Sequence, residues 1–306
     1  MIDFTNQAVV VTGAGRGLGR LYALELARRG AQVVVNDIGG SMAGVGADAS
    51  VADAVVDEIR TAGGRAVASH ESVDTPAGGA AIVGRAVEEF GRLDAIISNA
   101  GIYEMLPFEE LTPEQWRRML QVHLDGAFHL TQPALRHMKQ QGYGRIVLVA
   151  SNIGAFGQER AAHYAAAKGG VIGLTNALAN EGAPDGVNVN AILPIGQTRM
   201  MTDSMGEREP NPILDRFFAE TTPERVVPLA VYLASRACLL SHHYFSAVAG
   251  RYARVFIGLG EGWLADAASV EDVDAHLDEI TATQPFSVPM SVNEEIGAVL
   301  HQLGVI

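Results

Sequence analysis

The stretch Ala8-Val9-Val10-Val11-Thr12-Gly13-Ala14-Gly15-Arg16-Gly17-Leu18-Gly19 carries the features that decide the fold. A β-branched run leads into a turn with four glycines, and a helical pattern follows. Glycine lets the backbone approach a diphosphate closely, and the helix N-terminus adds free N–H groups and the positive end of its dipole. The stretch therefore predicts a strand–turn–helix unit that binds an anionic ligand. The alternative is a tight turn that binds nothing.

The rest of the first 200 residues repeats this alternation of short apolar runs and longer helical patterns. Runs with little alternation are typical of strands buried on both faces of a parallel sheet. We therefore expect an α/β fold, a doubly wound parallel sheet of about seven strands with helices on both faces, within one domain over residues 1–260. The predicted strands are 8–12, 32–36, 66–69, 93–98, 145–150, 187–193 and 254–257, and the predicted helices are 19–29, 49–62, 78–90, 113–140, 164–181 and 223–235.

The composition changes after residue 200. Three Met and two Phe lie between residues 200 and 218 without a regular period. This pattern favours a substrate flap over residues 199–222, with ordinary packing as the alternative. Residues 261–306 form a tail that is too short for an independent domain, with one predicted helix after Ser269. We expect the tail to pack on the main domain or on a neighbouring subunit.

Charge and composition exclude several classes of protein. The 306 residues have a net charge of −13, which argues against binding nucleic acid or anionic lipid. A single cysteine, Cys238, cannot form an internal disulfide, and no basic leader or long apolar run is present. The histidines lack the spacing of metal ligands, so we predict no metal site. These features favour a cytoplasmic protein without a membrane partner.

A catalytic pair is indicated by Tyr164 and Lys168, which lie one helical turn apart. A nearby ammonium stabilises a phenolate, and we expect it to lower the pKa of the tyrosine from its usual value near 10. The phenol can then exchange a proton with an alcohol or a ketone. Ser151, at the end of a predicted strand, is placed to hydrogen-bond the same substrate oxygen. The alternative is a surface pair beside an ordinary serine.

Asp37 points to the identity of the anionic ligand. It ends the second predicted strand, 18 residues after Gly19, where an acid can bind both hydroxyls of an adenine ribose. A carboxylate there repels a 2′-phosphate, which favours NAD over NADP. Arg16 opposes this preference, because it could reach a 2′-phosphate from the glycine turn.

Taken together, these motifs resemble the short-chain dehydrogenase/reductase family over roughly residues 5–260. The resemblance implies a Rossmann-like fold and rests on the glycine turn, Asn99-Ala100-Gly101, Ser151, Tyr164, Lys168 and the segment 190–194. Within the family the chain is most similar to the (3R)-hydroxyacyl-CoA dehydrogenase unit of multifunctional β-oxidation enzymes, also described as a hydroxysteroid dehydrogenase. The stretches 34–40, 44–46, 122–124 and 198–200 carry that similarity.

The resemblance implies positions for the cofactor and an oligomeric state. It places Glu71 or Val73 near the adenine, Ile195 and Thr198 near the nicotinamide amide, and Lys168 on the nicotinamide ribose. The other implied cofactor residues are Gly13, Arg16, Gly17, Leu18, Gly19, Asn99, Ala100, Gly101 and Tyr164. It also implies a homo-oligomer, a tetramer or a dimer, for which the alanine-rich face around residues 161–166 offers a close-packing surface.

Three features depart from the family pattern. His123 stands where most members carry an asparagine that organises a proton-relay water, although the hydroxyacyl-CoA subgroup also has histidine, and we count it among the candidate catalytic residues. Ile195 replaces the usual glycine after Pro194. The tail over residues 261–306 is expected to lie outside the resemblance.

The predicted function is an NAD-dependent oxidoreductase that interconverts a secondary alcohol and a ketone. A bulky apolar substrate such as a 3-hydroxyacyl-CoA is favoured, and a hydroxysteroid or a small secondary alcohol is the alternative. A non-catalytic NAD-binding regulator is a different class of function. Its hallmark would be loss of Ser151, Tyr164 or Lys168, and all three are present.

Overall fold

The computed structural model describes residues 2–41, 44–197, 211–265 and 267–305. The chain divides into two compact units, Met1–Arg254 and Val255–Ile306. The sequence placed this boundary near residue 260. Thr198 and most of the predicted substrate flap lie outside the described residues.

An eight-stranded sheet forms the centre of the first unit, with strand order β3-β2-β1-β4-β5-β6-β7-β8. The pairs from β3 to β7 are all parallel. The chain crosses from β3 on one edge to β4 beside β1, so the carboxyl ends of β1 and β4 flank the crevice where such folds bind ligands. The strands are β1 (Ala8–Thr12), β2 (Gln32–Asn36), β3 (Arg65–Ser69), β4 (Ala95–Ser98), β5 (Gly144–Val149), β6 (Val187–Ile195), β7 (His243–Val248) and β8 (Arg251–Val255).

Local chemistry explains where α3 and α4 begin. Thr75 and Thr112 are N-caps that accept hydrogen bonds from Gly78 and Gln115, and each is followed by a proline. The first unit contains α1 (Gly17–Arg28), α2 (Ser50–Thr61), α3 (Pro76–Phe90), α4 (Pro113–Leu120), α5 (Gly126–Gln141), α6 (Asn152–Phe156), α7 (Ala162–Gly182), α8 (Pro212–Glu220) and α9 (Val227–Ala234).

The predicted α/β fold is confirmed, and three local differences stand out. The helix predicted over 113–140 is two helices joined by a π-helical turn, Gln121–Asp125. The predicted strand 254–257 overlaps only the end of β8, and β7 was not predicted; the two strands are joined at Ala249 and Gly250, which both adopt positive φ (52° and 81°), the geometry of a two-residue turn. Part of the predicted flap is helical, since Asn211 caps α8.

The second unit is a small assembly of short elements. They are β9 (Leu259–Gly260), α10 (Val270–Ala275), α11 (Leu277–Ile280), β10 (Phe286–Ser287) and α12 (Val292–Gln302), with β9 and β10 antiparallel. The helix predicted after Ser269 is confirmed with a capping box to Asp272, but the prediction of one helix is wrong, because two more follow. The packing of this tail stays a prediction.

Candidate active site

A cavity of about 750 Å³ opens at the carboxyl ends of the central strands. It brings together predicted residues that lie far apart in the sequence. Those lining it are Gly13, Arg16, Gly17, Leu18, Asp37, Glu71, Val73, Asn99, Ala100, Gly101, His123, Ser151, Tyr164, Lys168 and Ile195. Gly19 is outside the lining, and Thr198 is outside the described residues.

The glycine turn is held by close packing as well as by conformation. Gly13 and Gly17 adopt positive φ, 62° and 52°. A Cβ on Gly19 would lie 2.0 Å from the carbonyl oxygen of Gly13, so Gly19 lets the helix start close against the turn instead of contacting a ligand. The Asn99 side chain donates hydrogen bonds to the carbonyls of Thr12 and Gly13 at 3.0 and 3.2 Å, which fixes the turn against β4.

Asp37 braces this turn from the end of β2. Its Oδ2 accepts a hydrogen bond from the Gly15 N–H at 2.9 Å, and its Oδ1 accepts one from the Gly39 N–H at 2.7 Å. The carboxylate is therefore fixed in orientation at the edge of the cavity. Arg16 donates to the Gly40 carbonyl at 3.1 Å, so its guanidinium is tied to the loop after β2.

The candidates for the adenine side lie at the end of β3. Glu71 is exposed and Val73 is buried, and both line the cavity. The Glu71 carbonyl accepts a hydrogen bond from the Asn36 side chain at 2.8 Å, which fixes the loop that carries both residues. Both residues thus lie in the same cavity lining as Asp37, and the adenine position implied by the resemblance stays a prediction.

Tyr164 and Ser151 meet inside the cavity. Both are buried; the Ser151 oxygen accepts a hydrogen bond from the Ile153 N–H at 3.1 Å, and its hydroxyl lies close enough to the Tyr164 phenol to affect its pKa. Burial raises the pKa of Tyr164 to about 12; the hydrogen bond from Ser151 lowers it, and the neighbouring Tyr103 phenol raises it. The pKa therefore lies above its usual value, opposite to the expected shift, because desolvation of the phenolate is the largest effect and the Lys168 ammonium does not offset it.

Lys168 lies next to Tyr164, but its ammonium group bonds a backbone carbonyl instead of the phenol. Its Nζ is 5.8 Å from the centre of the Tyr164 ring and donates a 2.5 Å hydrogen bond to the Val149 carbonyl. Burial lowers the pKa of Lys168 to about 7. No carboxylate among the described residues forms an ion pair with it.

His123 occupies the π-helical turn and supports the wall behind Tyr164. Its ring packs edge-on against the Tyr164 ring at 5.1 Å, and its Nε2 lies 2.7 Å from the Ile102 carbonyl. Burial, followed by the charge of Lys168, lowers its pKa well below the usual value, so the ring is neutral; Nε2 lies within hydrogen-bond distance of both the Ile102 carbonyl and the Ile102 N–H, the latter at 3.1 Å. A Cβ on Gly101 would lie 2.4 Å from this ring, which explains a glycine there. A direct part for His123 in proton transfer stays a prediction.

Residues that sequence reasoning missed line the substrate side of the cavity. The Tyr103 ring packs edge-on against Tyr164 at 4.9 Å, and the Gln158 amide lies 3.9 Å from the Met105 sulfur. The loops that carry them are joined by a hydrogen bond from Leu106 N–H to the Arg160 carbonyl at 2.8 Å. Ile102 and Ile153 complete an apolar wall together with Val122, from the stretch 122–124, and Phe218, from the predicted substrate flap. Tyr103, Met105, Gln158, Ile102 and Ile153 carry no motif, since each reaches the cavity from a loop or from the first turn of a short helix.

Two classes of site are absent from the described part of the chain. It contains no cluster of three His, Cys, Asp or Glu side chains that could hold a metal ion. None of its helices is long and apolar enough to cross a membrane.

Comparison with known proteins identifies the family. The sequence profile named short chain dehydrogenase matches residues 7–210. The chain belongs to the short-chain dehydrogenase family. A short-chain type dehydrogenase/reductase of Mycobacterium tuberculosis is 43% identical over 277 residues, covering 90% of this chain and 94% of that protein. The fold and the assignment as a dehydrogenase/reductase are thereby confirmed.

Two solved structures extend the comparison. The full-length peroxisomal multifunctional enzyme type 2 of Drosophila melanogaster matches with a TM-score of 0.81 and 32% identity over 99% of this chain and 50% of that one, so this dehydrogenase spans about half of that enzyme. A 7α-hydroxysteroid dehydrogenase complexed with NADH and 7-oxo glycochenodeoxycholic acid matches with a TM-score of 0.71 and 25% identity over 81% of this chain and 95% of that one. The predicted resemblance to multifunctional enzymes is confirmed.

The tail belongs to this resemblance, contrary to the expectation from sequence. A match over 99% of the chain includes nearly all of residues 261–306. The tail has none of the family's short motifs, which is why the sequence alone did not show the similarity.

Proposed function

We propose that this short-chain dehydrogenase interconverts a secondary alcohol and a ketone with NAD as cofactor and Tyr164 as the proton-transferring group. The observation that carries the proposal is one continuous cavity, which reaches from the glycine turn and Asp37 to Ser151, Tyr164 and Lys168. A dinucleotide fits this layout, since the helix N-terminus and glycines suit its diphosphate and the fixed Asp37 carboxylate suits its adenine ribose. A relative of the same fold is complexed with NADH.

Each residue then has a defined task. NAD, when bound, supplies the hydride acceptor. Tyr164 exchanges a proton with the substrate oxygen, and Ser151 donates a hydrogen bond at the same point. Lys168 adds positive potential in a buried environment and, since one N–H of its ammonium bonds the Val149 carbonyl, can donate another to a ribose hydroxyl. Because the phenol has a pKa of about 12 in the protein alone, it is poised to give a proton to a ketone.

We further propose a bulky, largely apolar substrate such as a 3-hydroxyacyl-CoA. The wall formed by Ile102, Val122, Ile153 and Phe218 supports an apolar group at the reacting carbon. The multifunctional relative supports the acyl-CoA form, and the hydroxysteroid relative supports a steroid as the second candidate. The net charge of −13 weighs against an anionic ester through long-range repulsion.

A substrate panel with NAD⁺ tests this proposal, with NADH formation as the readout. A 3-hydroxyacyl-CoA, a hydroxysteroid and 2-butanol are compared by kcat/KM. Burial of each additional methylene is worth about 0.8 kcal/mol, or about fourfold, so the larger substrates are expected to exceed 2-butanol by orders of magnitude. Equal values would contradict an apolar substrate site, and NADH binding without turnover of any substrate would favour the regulator.

Location and assembly are also proposals. A single buried cysteine supports a reducing compartment, and we propose the cytoplasm, although the Drosophila relative is named peroxisomal. We propose a homo-oligomer, a tetramer or a dimer; sedimentation at the 32.3 kDa of one chain would contradict it.

A further inference from the structure

Arg118 joins two loops that flank the cofactor end of the cavity. From α4 its Nη1 donates to the Asp74 carboxylate at 2.8 Å, and its Nη2 donates to the Gly44 carbonyl at 2.7 Å. Asp74 follows Val73 in the loop after β3, and Gly44 belongs to the loop after β2. The Arg118 and Asp74 side chains are 34% and 15% exposed, so the ion pair is partly desolvated and stronger than a surface pair.

The absence of a side chain at Gly44 leaves room for the Arg118 guanidinium. Gly44 has φ +72°, and a Cβ there would lie 2.7 Å from Arg118 Nη2 and 2.9 Å from Ile102 Cγ2. Burial raises the pKa of Asp74, but hydrogen bonds from Ser72 and Arg118 outweigh it and keep the pKa below its usual value. Asp74 is thus the ionised partner of a charge-assisted hydrogen bond.

The loop after β2 is rich in glycine, and its described residues, 38–41 and 44–48, are held mainly by hydrogen bonds to one another. Ser41 N–H donates to the Val45 carbonyl, Gly44 N–H to the Ser41 carbonyl and Asp48 N–H to the Ile38 carbonyl, each at 2.9 Å. Arg118 adds a contact of another kind, because it ties Gly44 to the loop after β3. Ile38, Gly40, Ser41 and Gly44 line the cavity beside Asp37. A glycine-rich loop that must be ordered upon ligand binding reduces the affinity, because the lost conformational entropy opposes binding.

We propose that Arg118 is a positioning residue for cofactor affinity, which holds the loop after β2 against the loop after β3 so that the adenosine part of NAD meets an ordered surface. The inference rests on the proposed use of NAD. Arg118 also lines the cavity itself, but the proposed role is exerted through the two loops, so its loss should change cofactor binding and leave the proton-transfer groups in place.

The test measures the Kd of NADH and of ADP-ribose by fluorescence and calorimetry for wild type, Arg118→Ala, Arg118→Lys and Arg117→Ala. Arg117 is the matched control, since it lies on the same helix with a 73% exposed side chain and pairs only loosely with Glu114 at 3.7 Å. Arg118→Ala should raise the Kd of both ligands about tenfold, the effect of losing one charge-assisted hydrogen bond. Arg118→Lys should recover only part of the affinity, because an ammonium cannot span both acceptors, and Arg117→Ala should match wild type.

Hydrogen exchange and a double-mutant cycle separate this role from simple charge attraction. Amides of residues 38–41 and 44–48 should exchange faster in Arg118→Ala than in wild type. Gly44→Ala should raise the Kd of NADH by a similar factor. The effects of Gly44→Ala and Arg118→Ala should be non-additive, because both substitutions break the contact between Arg118 and Gly44. Full recovery of affinity in Arg118→Lys, or unchanged loop exchange in Arg118→Ala, would overturn the proposal. A wild-type protein that binds no NADH would instead refute the proposed function.

Discussion

The pKa of Tyr164 offers the sharpest test of the proposed chemistry. With a pKa of about 12, the phenolate fraction of the protein alone is about 10⁻⁴ at pH 8 and about 10⁻³ at pH 9. The pKa is measured as the pH-dependent phenolate absorbance of wild type minus that of Tyr164→Phe, which cancels the other six tyrosines. We expect no difference signal below about pH 10. Ser151→Ala should delay the signal further, since it removes the hydrogen bond that lowers this pKa.

The same value sets the pH dependence of turnover where bound NAD leaves the pKa of Tyr164 above 9. Ketone reduction uses the neutral phenol, so its kcat/KM should be flat from pH 6 to 9, where essentially all of Tyr164 is protonated. Alcohol oxidation uses the phenolate, so its kcat/KM should rise about tenfold per pH unit over the same range. An oxidation profile that levels off near pH 7, together with a phenolate signal there, would refute the argument that burial dominates this site.

Three further predictions follow from the geometry. Tyr164→Phe should lower kcat by about 10²–10⁴-fold while the Kd of NADH stays within twofold of wild type; retention of a tenth of the activity would contradict its assignment. NAD should be preferred over NADP by about 5- to 1000-fold in kcat/KM, because a 2′-phosphate about 4 Å from the Asp37 carboxylate is repelled by about 1–4 kcal/mol, and Asp37→Ser should narrow the ratio. Lys168→Met should raise the free energy of unfolding measured in urea. The increase over wild type should be larger at pH 6 than at pH 9 by about 2–3 kcal/mol. The folded pKa of Lys168 is about 7 against 10.5 unfolded, so the burial penalty is complete below pH 7 and shrinks as the pH rises; equal effects at the two pH values would contradict this.

The sequence predicted the parts of the molecule that depend on local pattern. β1 and β2 begin and end at the predicted residues, because β-branched runs between turn residues leave few alternatives. Tyr164 and Lys168 share a helix, so their proximity follows from spacing alone. Asn99 could be assigned to the site only through the family, since its hydrogen bonds to the Thr12 and Gly13 carbonyls join segments that are 87 and 86 residues apart.

Other features could not be read from the sequence because they depend on what surrounds a side chain. Arg118 follows Arg117 on an amphipathic helix, and both have the pattern of a solvated face. Only the fold shows that one points to Asp74 and Gly44 while the other is exposed. The same holds for His123. The family resemblance identified its position in the sequence, whereas its contact with Ile102 depends on a π-helical turn that no local sequence pattern indicates.

The reversed pKa shift at Tyr164 has the same origin and a functional consequence. Sequence spacing supplies the charge of Lys168, but burial acts on both residues and favours the uncharged form of each. Ionisable groups shifted in this way are costly for stability, and they concentrate at sites where protons are exchanged. The Lys168 ammonium has a backbone carbonyl as its partner and lies beside a phenol held by Ser151. A ligand that adds charge or hydrogen bonds at this point therefore changes the protonation of both groups, and that sensitivity suits a site that transfers a proton each time it turns over.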